Sequence, residues 1–264
     1  MKHTFVICAY KESPYLEECI LSLKEQTELS EILMVTSTPN DHISSLAEKY
    51  SIPLYINEGE GGITQDWNFG YSKAETEYVT IAHQDDVYCA TYTEKVLKAL
   101  QSKSKALIAF TDYGELRDGE CVRTNVNLTI KRILLSPLRI KRLQSVNAVK
   151  HRVLSLGNPI CCPSVTFHKY LLPEKVFADH FRSNEDWEAW EKIAKREGSF
   201  VYIPEILMYH RIHEGSETSA VIQENSRSSE DLEMFRKFWP EKAAEILTKL
   251  YSASEKSNNL QNRE

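Results

Sequence analysis

The chain has 264 residues, 42% apolar and 10% aromatic, enough to bury one large core or one core with an appendage. Its formal net charge of -6 argues against a general nucleic-acid binder. Cys8, Cys19, Cys89, Cys121, Cys161 and Cys162 show no CxxC pair and no metal spacing, which suits reduced thiols in a cytosolic protein. The opening apolar run Phe5 to Ala9 is too short for a secretory leader, and no stretch approaches the length of a bilayer span.

Phe5 to Ala9 reads as a first strand, and Pro14 opens a helix with Leu16, Ile20 and Leu23 on one side. Ile32 to Val35 reads as a second strand. Asn40-Asp41 offers an N-cap for a helix through Ile43, Leu46 and Ala47, and the short strand Pro53 to Ile56 follows. A glycine-rich loop, Glu58 to Gly62, leads into a helix ending near Ala74. The loop lacks the GxGxxG spacing and follows the third strand, and no GxxxxGK[ST] phosphate loop occurs anywhere. The strand Tyr78 to Ala82 ends at Asp85-Asp86, and one more helix precedes a strand over Ala106 to Phe110. Strands alternating with helices of this length predict an α/β fold with a parallel, doubly wound sheet.

Ligands of such sheets bind beyond the carboxyl ends of the strands, so Asp85 and Asp86 lie where chemistry is done. Two adjacent carboxylates repel unless positive charge sits beside them. Their natural partner is a hard divalent cation, Mg2+ or Mn2+, carrying a diphosphate. A surface turn capping the next helix is the plainer alternative.

From Cys121 to Pro173 there is no Asp or Glu, while Arg123, Lys131, Arg132, Arg139, Lys141, Arg142, Lys150, Arg152 and Lys169 are positive. Ile130, Ile133, Leu134, Leu135, Leu138, Ile140 and Leu143 are interleaved with them. This is either a solvated helical face or a basic amphipathic element resting on an anionic membrane or binding a lipid diphosphate-linked acceptor. Ser183-Asn184-Glu185-Asp186 reads as a helix start, with Trp187, Trp190, Ile193 and Ala194 marking a buried face. Past Ser216 come a polar stretch, an amphipathic helix through Leu232 to Trp239, and a helix from Glu241 to Tyr251. These helices either pack on the domain or form a homodimer contact, and Ser252 to Glu264 has the composition of a frayed tail.

Several segments together resemble a family 2 glycosyltransferase of the GT-A fold, over roughly residues 3 to 216. They are Cys8-Ala9-Tyr10-Lys11-Glu12, where the family's usual form has Asn at the position of Lys11, and the helix Tyr15 to Thr27. Asn68-x-Gly70 with Ala74 and Tyr78, then His83-Gln84-Asp85-Asp86, follow in order. Asn184-Glu185-Asp186-Trp187 and Tyr209-His210-Arg211-Ile212-His213-Glu214-Gly215-Ser216 complete the set. The resemblance implies a Rossmann-like, mostly parallel sheet flanked by helices, with a nucleotide-sugar half over about 1–115 and an acceptor half over about 116–216. Residues 217–264 would form a helical C-terminal appendage and tail.

It further implies an inverting transferase moving a sugar from a nucleotide sugar, with UDP favoured, to a glycan or lipid-linked acceptor in surface polysaccharide biosynthesis. Asp186 would be the general base, and Asp86 and His213 would hold Mn2+ or Mg2+. Ala9, Tyr10, Glu12, Thr36, Asn68, Gln84 and Asp85 would contact the nucleotide sugar. Glu185, Trp187, Arg211 and Ser216 are expected around the acceptor or behind the groups that touch substrate. Two departures stand out. The second strand ends in Thr36-Ser37-Thr38 where the family has an acidic pair, and His83 replaces the first Asp of the acidic motif. A sugar-phosphate nucleotidyltransferase and a non-catalytic homologue binding nucleotide sugar or glycan are the rival readings. The setting expected is the cytoplasm, with peripheral association at the inner face of the membrane.

Overall fold

The chain alternates large apolar residues along its first strand, so that each face of the sheet receives its own layer of helices. A computed structural model describes residues 2–213 and 227–260. In it β1 (His3–Cys8) lies between β2 (Glu31–Thr36) and β4 (Tyr78–His83), parallel to both, and β3 (Leu54–Ile56) extends the sheet beyond β2. Helices α1 (Leu16–Lys24), α2 (Asp41–Lys49) and α3 (Ile63–Lys73) link these strands. Phe5 and Ile7 join Leu16, Ile20, Ile43 and Leu46 in one cluster, whereas Val6 joins Tyr71, Ile81 and Trp190 in the other. Asn40 caps α2 as its sequence suggests, accepting the Ile43 N–H at 3.0 Å. Gly70 is required by packing: a Cβ there would lie 2.4 Å from Val6 Cγ1.

After α4 (Tyr92–Gln101) come β6 (Ala106–Arg117), β7 (Glu120–Val122), α5 (Val126–Leu135), two 3-10 turns (Ser136–Arg139 and Lys141–Leu143) and α6 (Asn147–Leu154). Then follow β8 (Val165–His168), α7 (Glu185–Ala194) and β9 (Ser199–Ile212). The sheet order is β3-β2-β1-β4-β8-β6-β9-β5, with β5 (Val87–Tyr88) on one edge and β7 beside β6. The parallel arrangement expected from the alternation holds through β4 and returns in the β6/β9 pair. Between them β8 enters from the opposite end, antiparallel to both β4 and β6. A buried polar chain crosses this junction: His3 Nε2 meets Thr80 Oγ1 at 2.9 Å, Thr80 meets Thr166 at 2.7 Å, and Thr166 meets Tyr92 Oη at 3.0 Å. Burial lowers the His3 pKa to about 3, so the ring is neutral.

The last two helices, α8 (Arg227–Arg236) and α9 (Glu241–Leu260), pack on the domain. Trp187 of α7 stands against Phe235 and Tyr251, ring centroids 5.2 and 6.0 Å away. Glu230 accepts the backbone N–H groups of Arg182 and Ser183, each at 2.9 Å, and Trp239 Nε1 donates to Ser155 O at 2.7 Å. The expected frayed tail is helical through Leu260, because α9 continues nine residues past Tyr251.

Part of the acid-free run is spent inside the protein. Lys169 Nζ donates to the carbonyls of Tyr71, Ser72 and Ala74 at the end of α3. Lys150 Nζ donates to Arg196 O and Gly198 O just past α7, at 2.8 and 2.9 Å. Helix ends carry unpaired carbonyls and negative dipole, so a cation there needs no carboxylate. Lys150 is completely buried, and desolvation lowers its pKa to about 8 from a usual 10.5. The sign follows: between these values the unfolded chain binds the extra proton, so stability gains from this site as pH rises through 8 towards 10.5 and is level below 8. Comparing pH series of denaturant unfolding, the unmodified protein should gain on the order of 1–3 kcal/mol relative to Lys150→Met over that interval. A pH-independent difference would show that the lysine titrates alike in both states.

Candidate functional site

The site forms where β4 ends and β9 returns. Val87 and Tyr88 pair antiparallel with Tyr209 and Met208, and this two-residue strand brings His210, Arg211 and His213 to the acidic pair. Asp86 is completely buried. Its Oδ1 accepts from His210 Nδ1 and from the Arg211 N–H, each at 2.9 Å. Burial alone would lower the His210 pKa, but the Asp86 carboxylate overrides it and raises it to about 9. Arg211 ties the motif down: Nε donates to Asp85 O at 2.8 Å, Nη2 pairs with Glu18 at 2.5 Å, and the guanidinium lies 4.2 Å from the Tyr15 ring centroid.

His83, Asp85 and Asp86 offer ligand atoms that lie within 4.8 Å of one another. Asp86 Oδ2 and His83 Nε2 are buried without a hydrogen-bond partner among the described residues. Burial holds the His83 pKa low against the pull of Asp86 and Asp85, so the imidazole is neutral, the form that ligates metals. Burial opposes the Asp85 charge as well, yet His210, His83 and the bond from His213 outweigh it and lower its pKa. A buried, unpartnered carboxylate oxygen beside a neutral imidazole and a second carboxylate is a donor set that fits a divalent cation. His213, expected as a ligand, touches this trio from outside, with Nε2 2.9 Å from Asp85 Oδ2. His83 is the third member of the trio, its ring stacked on Trp67 with centroids 5.1 Å apart.

The residues expected on the donor side divide into two kinds. Tyr10 is 50% exposed at the end of β1 and presents a ring face, and Glu12 is exposed beside it. Ala9 is buried and donates its N–H to Val35 O at 2.9 Å. Gln84 exchanges two bonds with the Tyr10 backbone, at 2.9 and 3.0 Å, and so fastens the loop after β1 to the acidic motif. Thr36 turns its hydroxyl to the Thr38 N–H at 3.0 Å. Asn68 spends its amide on Val176 N–H, Phe177 N–H and Phe177 O, which clamps α3 to the loop before α7. Lys11 has φ 52, a conformation that Asn adopts more readily, and its N–H donates to Thr38 Oγ1 at 2.7 Å.

Sequence reasoning missed Asp66. Although the second strand lacks its acids, this carboxylate from α3 is buried beside the strand end, accepting from Ser37 Oγ at 2.6 Å and Asn57 Nδ2 at 2.8 Å. Its position in the first helical turn carried no signal beyond that of an ordinary helix-start acid.

Asp186 lies in the first turn of α7, half-buried. It is not part of a capping box, because the Ser183 N–H goes to Glu230 and Asn184 caps without a side-chain bond. Its Oδ1 accepts the Trp187 N–H at 2.6 Å and its Oδ2 accepts Asn158 Nδ2 at 2.8 Å, which fixes the carboxylate plane. Its charge reaches His83 and Cys161, both of which also feel Asp86. Trp187 stands behind the site and not on its surface: its ring is wholly buried, with Nε1 donating to Leu154 O at 3.1 Å. Glu185 is buried beside it, and Ser216 lies outside the described residues.

A family model described as glycosyl transferase family 2 matches residues 4–158. An uncharacterized glycosyltransferase of Haemophilus influenzae is 25% identical over 225 residues, 82% of this chain and 67% of its own length. Glycosyltransferase GlyG of Streptococcus pneumoniae serotype 4 is 27% identical over 109 residues, 39% of this chain and 36% of its own. Among solved structures, S. aureus TarS 1-349 in complex with UDP-GlcNAc superposes with a TM-score of 0.65 at 17% identity, covering 94% of this chain and 70% of that one. Mannosyltransferase PcManGT from Pyrobaculum calidifontis, in complex with GDP-Man and Mn2+, gives 0.60 at 16% identity, covering 89% and 63%. The fold is thus the GT-A fold.

Asn158→Ala removes the donor that holds Asp186 Oδ2 without touching the acidic motif. Turnover should fall by up to about 100-fold, the cost of about 1 Å of misplacement, while titration calorimetry shows donor affinity unchanged.

Proposed function

The chain belongs to glycosyl transferase family 2, and on that premise we propose the particular reaction its site performs. It moves one sugar, with inversion, from a nucleotide sugar to a hydroxyl of a glycan or lipid-linked precursor of a surface polysaccharide. UDP is the favoured nucleotide, and the setting is the cytoplasm at the inner face of the membrane. No described helix is long and apolar enough to cross a membrane. The observation that carries this reading is the gathering of Asp85, Asp86 and His83 at one strand end, and Asp186 at the start of α7 is the carboxylate we assign as base. The complexes of TarS with UDP-GlcNAc and of PcManGT with GDP-Man and Mn2+ support it.

Cleavage of the anomeric carbon to oxygen bond leaves charge on the departing diphosphate. A divalent cation, Mn2+ or Mg2+, held by Asp86, Asp85 and His83 would supply the Lewis acid that neutralises it. The remaining work falls to the chain. His210 and Arg211 hold Asp86 in place from behind, and His213 orients Asp85. Tyr10 offers its exposed ring to the nucleobase. Asp186 takes the acceptor hydroxyl's proton as the oxygen attacks the face opposite the leaving group, so a single base suffices and no covalent intermediate is needed.

In calorimetric titrations with UDP, Mn2+ should strengthen binding to the unmodified protein. Asp86→Ala should abolish that increment and Asp85→Ala reduce it. Undiminished metal dependence in both variants would refute the acidic motif's role.

Asp186→Asn keeps the side chain's shape and one accepting oxygen, sets an NH2 against one of the two N–H donors, and removes the base. Donor affinity should survive while transfer drops by roughly 100-fold or more. A large fall in melting temperature with normal turnover of the folded fraction would make the residue structural instead.

A further inference from the structure

Helix α5 carries two faces of different character. Leu128 and Leu135 are buried, and on their side Lys131 Nζ donates to Tyr113 Oη at 2.9 Å while Arg132 pairs with Asp112 at 3.5 Å. The opposite side holds Val126, Ile130 and Ile133, spaced four and three residues apart and 64%, 46% and 63% exposed. The 3-10 turns that follow carry the exposed Ile140 with the exposed cations Arg139, Lys141 and Arg142, of which Arg139 also lies against the Tyr202 hydroxyl. The three cations occupy two turns on either side of Ile140. Lys103 adds positive charge here, its Nζ donating to Lys141 O at 2.6 Å. Lys150 and Lys169 are consumed by helix ends, so the cations left on this surface are those flanking the apolar stripe.

We propose that the outward face of α5 and its two succeeding turns docks on an anionic lipid surface. An apolar stripe of isoleucine and valine inserts at the headgroup boundary, and flanking cations meet lipid phosphates. A stretch with no carboxylate between Cys121 and Pro173 provides the charge complementarity, since nothing along it repels an anionic headgroup. The surface also has a functional position. The inward side of α5 bears Lys131 on Tyr113, and the Tyr113 ring lies 6.5 Å from His210, which holds Asp86. A helix about 10 Å thick therefore separates the docking face from the reaction site. The placement rests on the transferase reading for its purpose: it would hold the site at the height of a lipid-linked acceptor's headgroup.

The test is cosedimentation of the full chain with phosphatidylcholine vesicles, with and without phosphatidylglycerol, at low and high salt. Binding should require the anionic lipid and weaken with salt. The triple variant Arg139→Gln, Lys141→Gln, Arg142→Gln should lose about 100-fold in affinity, three charges at about 1 kcal/mol each. Ile130→Asn with Ile133→Asn should also weaken binding, with the salt dependence kept. All five positions are exposed or end short turns, and matching melting temperatures confirm that the variants are folded. No sedimentation of the unmodified protein, or sedimentation of either variant equal to it, overturns the proposal. Equal retention on inorganic polyphosphate, indifferent to the isoleucine changes, overturns it in favour of a soluble polyanion. Donor hydrolysis run in parallel separates the two readings: hydrolysis without vesicle binding removes this surface alone, and vesicle binding without hydrolysis supports it while removing the transferase reading.

Discussion

A carboxylate buried at a strand end must be met by positive charge, and most of the site is organised around meeting that of Asp86. The group has no exposure to water, so leaving it unpaired would cost several kcal/mol. His210 and the Arg211 N–H answer one oxygen, and they arrive only because β5 pairs with β9. Arg211 then reaches on to the Asp85 carbonyl and to Glu18 of α1. One buried charge thereby joins β4, β9 and α1. The other oxygen of Asp86 is left facing His83, and a local energetic debt of this kind is what a cation site requires.

The carboxylate proposed as base is supported by different means. Asp186 begins a helix whose buried side is wedged between the sheet and the two C-terminal helices. Trp239 fixes Ser155, and Gly157 lies under Tyr251, whose ring would be 2.8 Å from any Cβ there. That short loop presents Asn158 to Asp186. The C-terminal appendage therefore reaches Asp186 through the loop and through α7, although none of its described residues belongs to the cluster of acids.

Much of this was legible in the sequence, for physical reasons. The first four strands are short apolar runs bounded by caps and glycines, and local pattern suffices for those. The acidic pair and Asp186 stand at element ends, where local pattern alone favours a turn and a helix cap, and it was the family resemblance that pointed to their chemistry. The failures come where tertiary pairing hides polarity. Past Phe110 the strand β6 continues through Asp112 and Glu115, which look like loop residues but are buried against Tyr202 and Arg132 or Arg117 and Asn125. The antiparallel entry of β8 depends on a long connection that no local pattern encodes. The place of His83 in the trio was not legible because it depends on Trp67 stacking behind it and on neighbours distant in sequence. Asn68 and Trp187 matched a motif, but their neighbours commit them to holding loops and helices together.

The same distinction governs the positive run. Charge counted along the chain treats nine cations alike, whereas the fold divides them by the polar groups within reach. Lysines that meet the carbonyls at a helix end are stabilised without any acid, so a segment can remain free of carboxylates and still fold. The carbonyls at α3 and α7 offset part of the cost of burying these cations without any acid, and the run leaves the outer face of α5 with cations that no carboxylate from its own segment can neutralise. Residues that build the interior and residues that shape the surface thus share one compositional signature, and only the position of each side chain tells them apart.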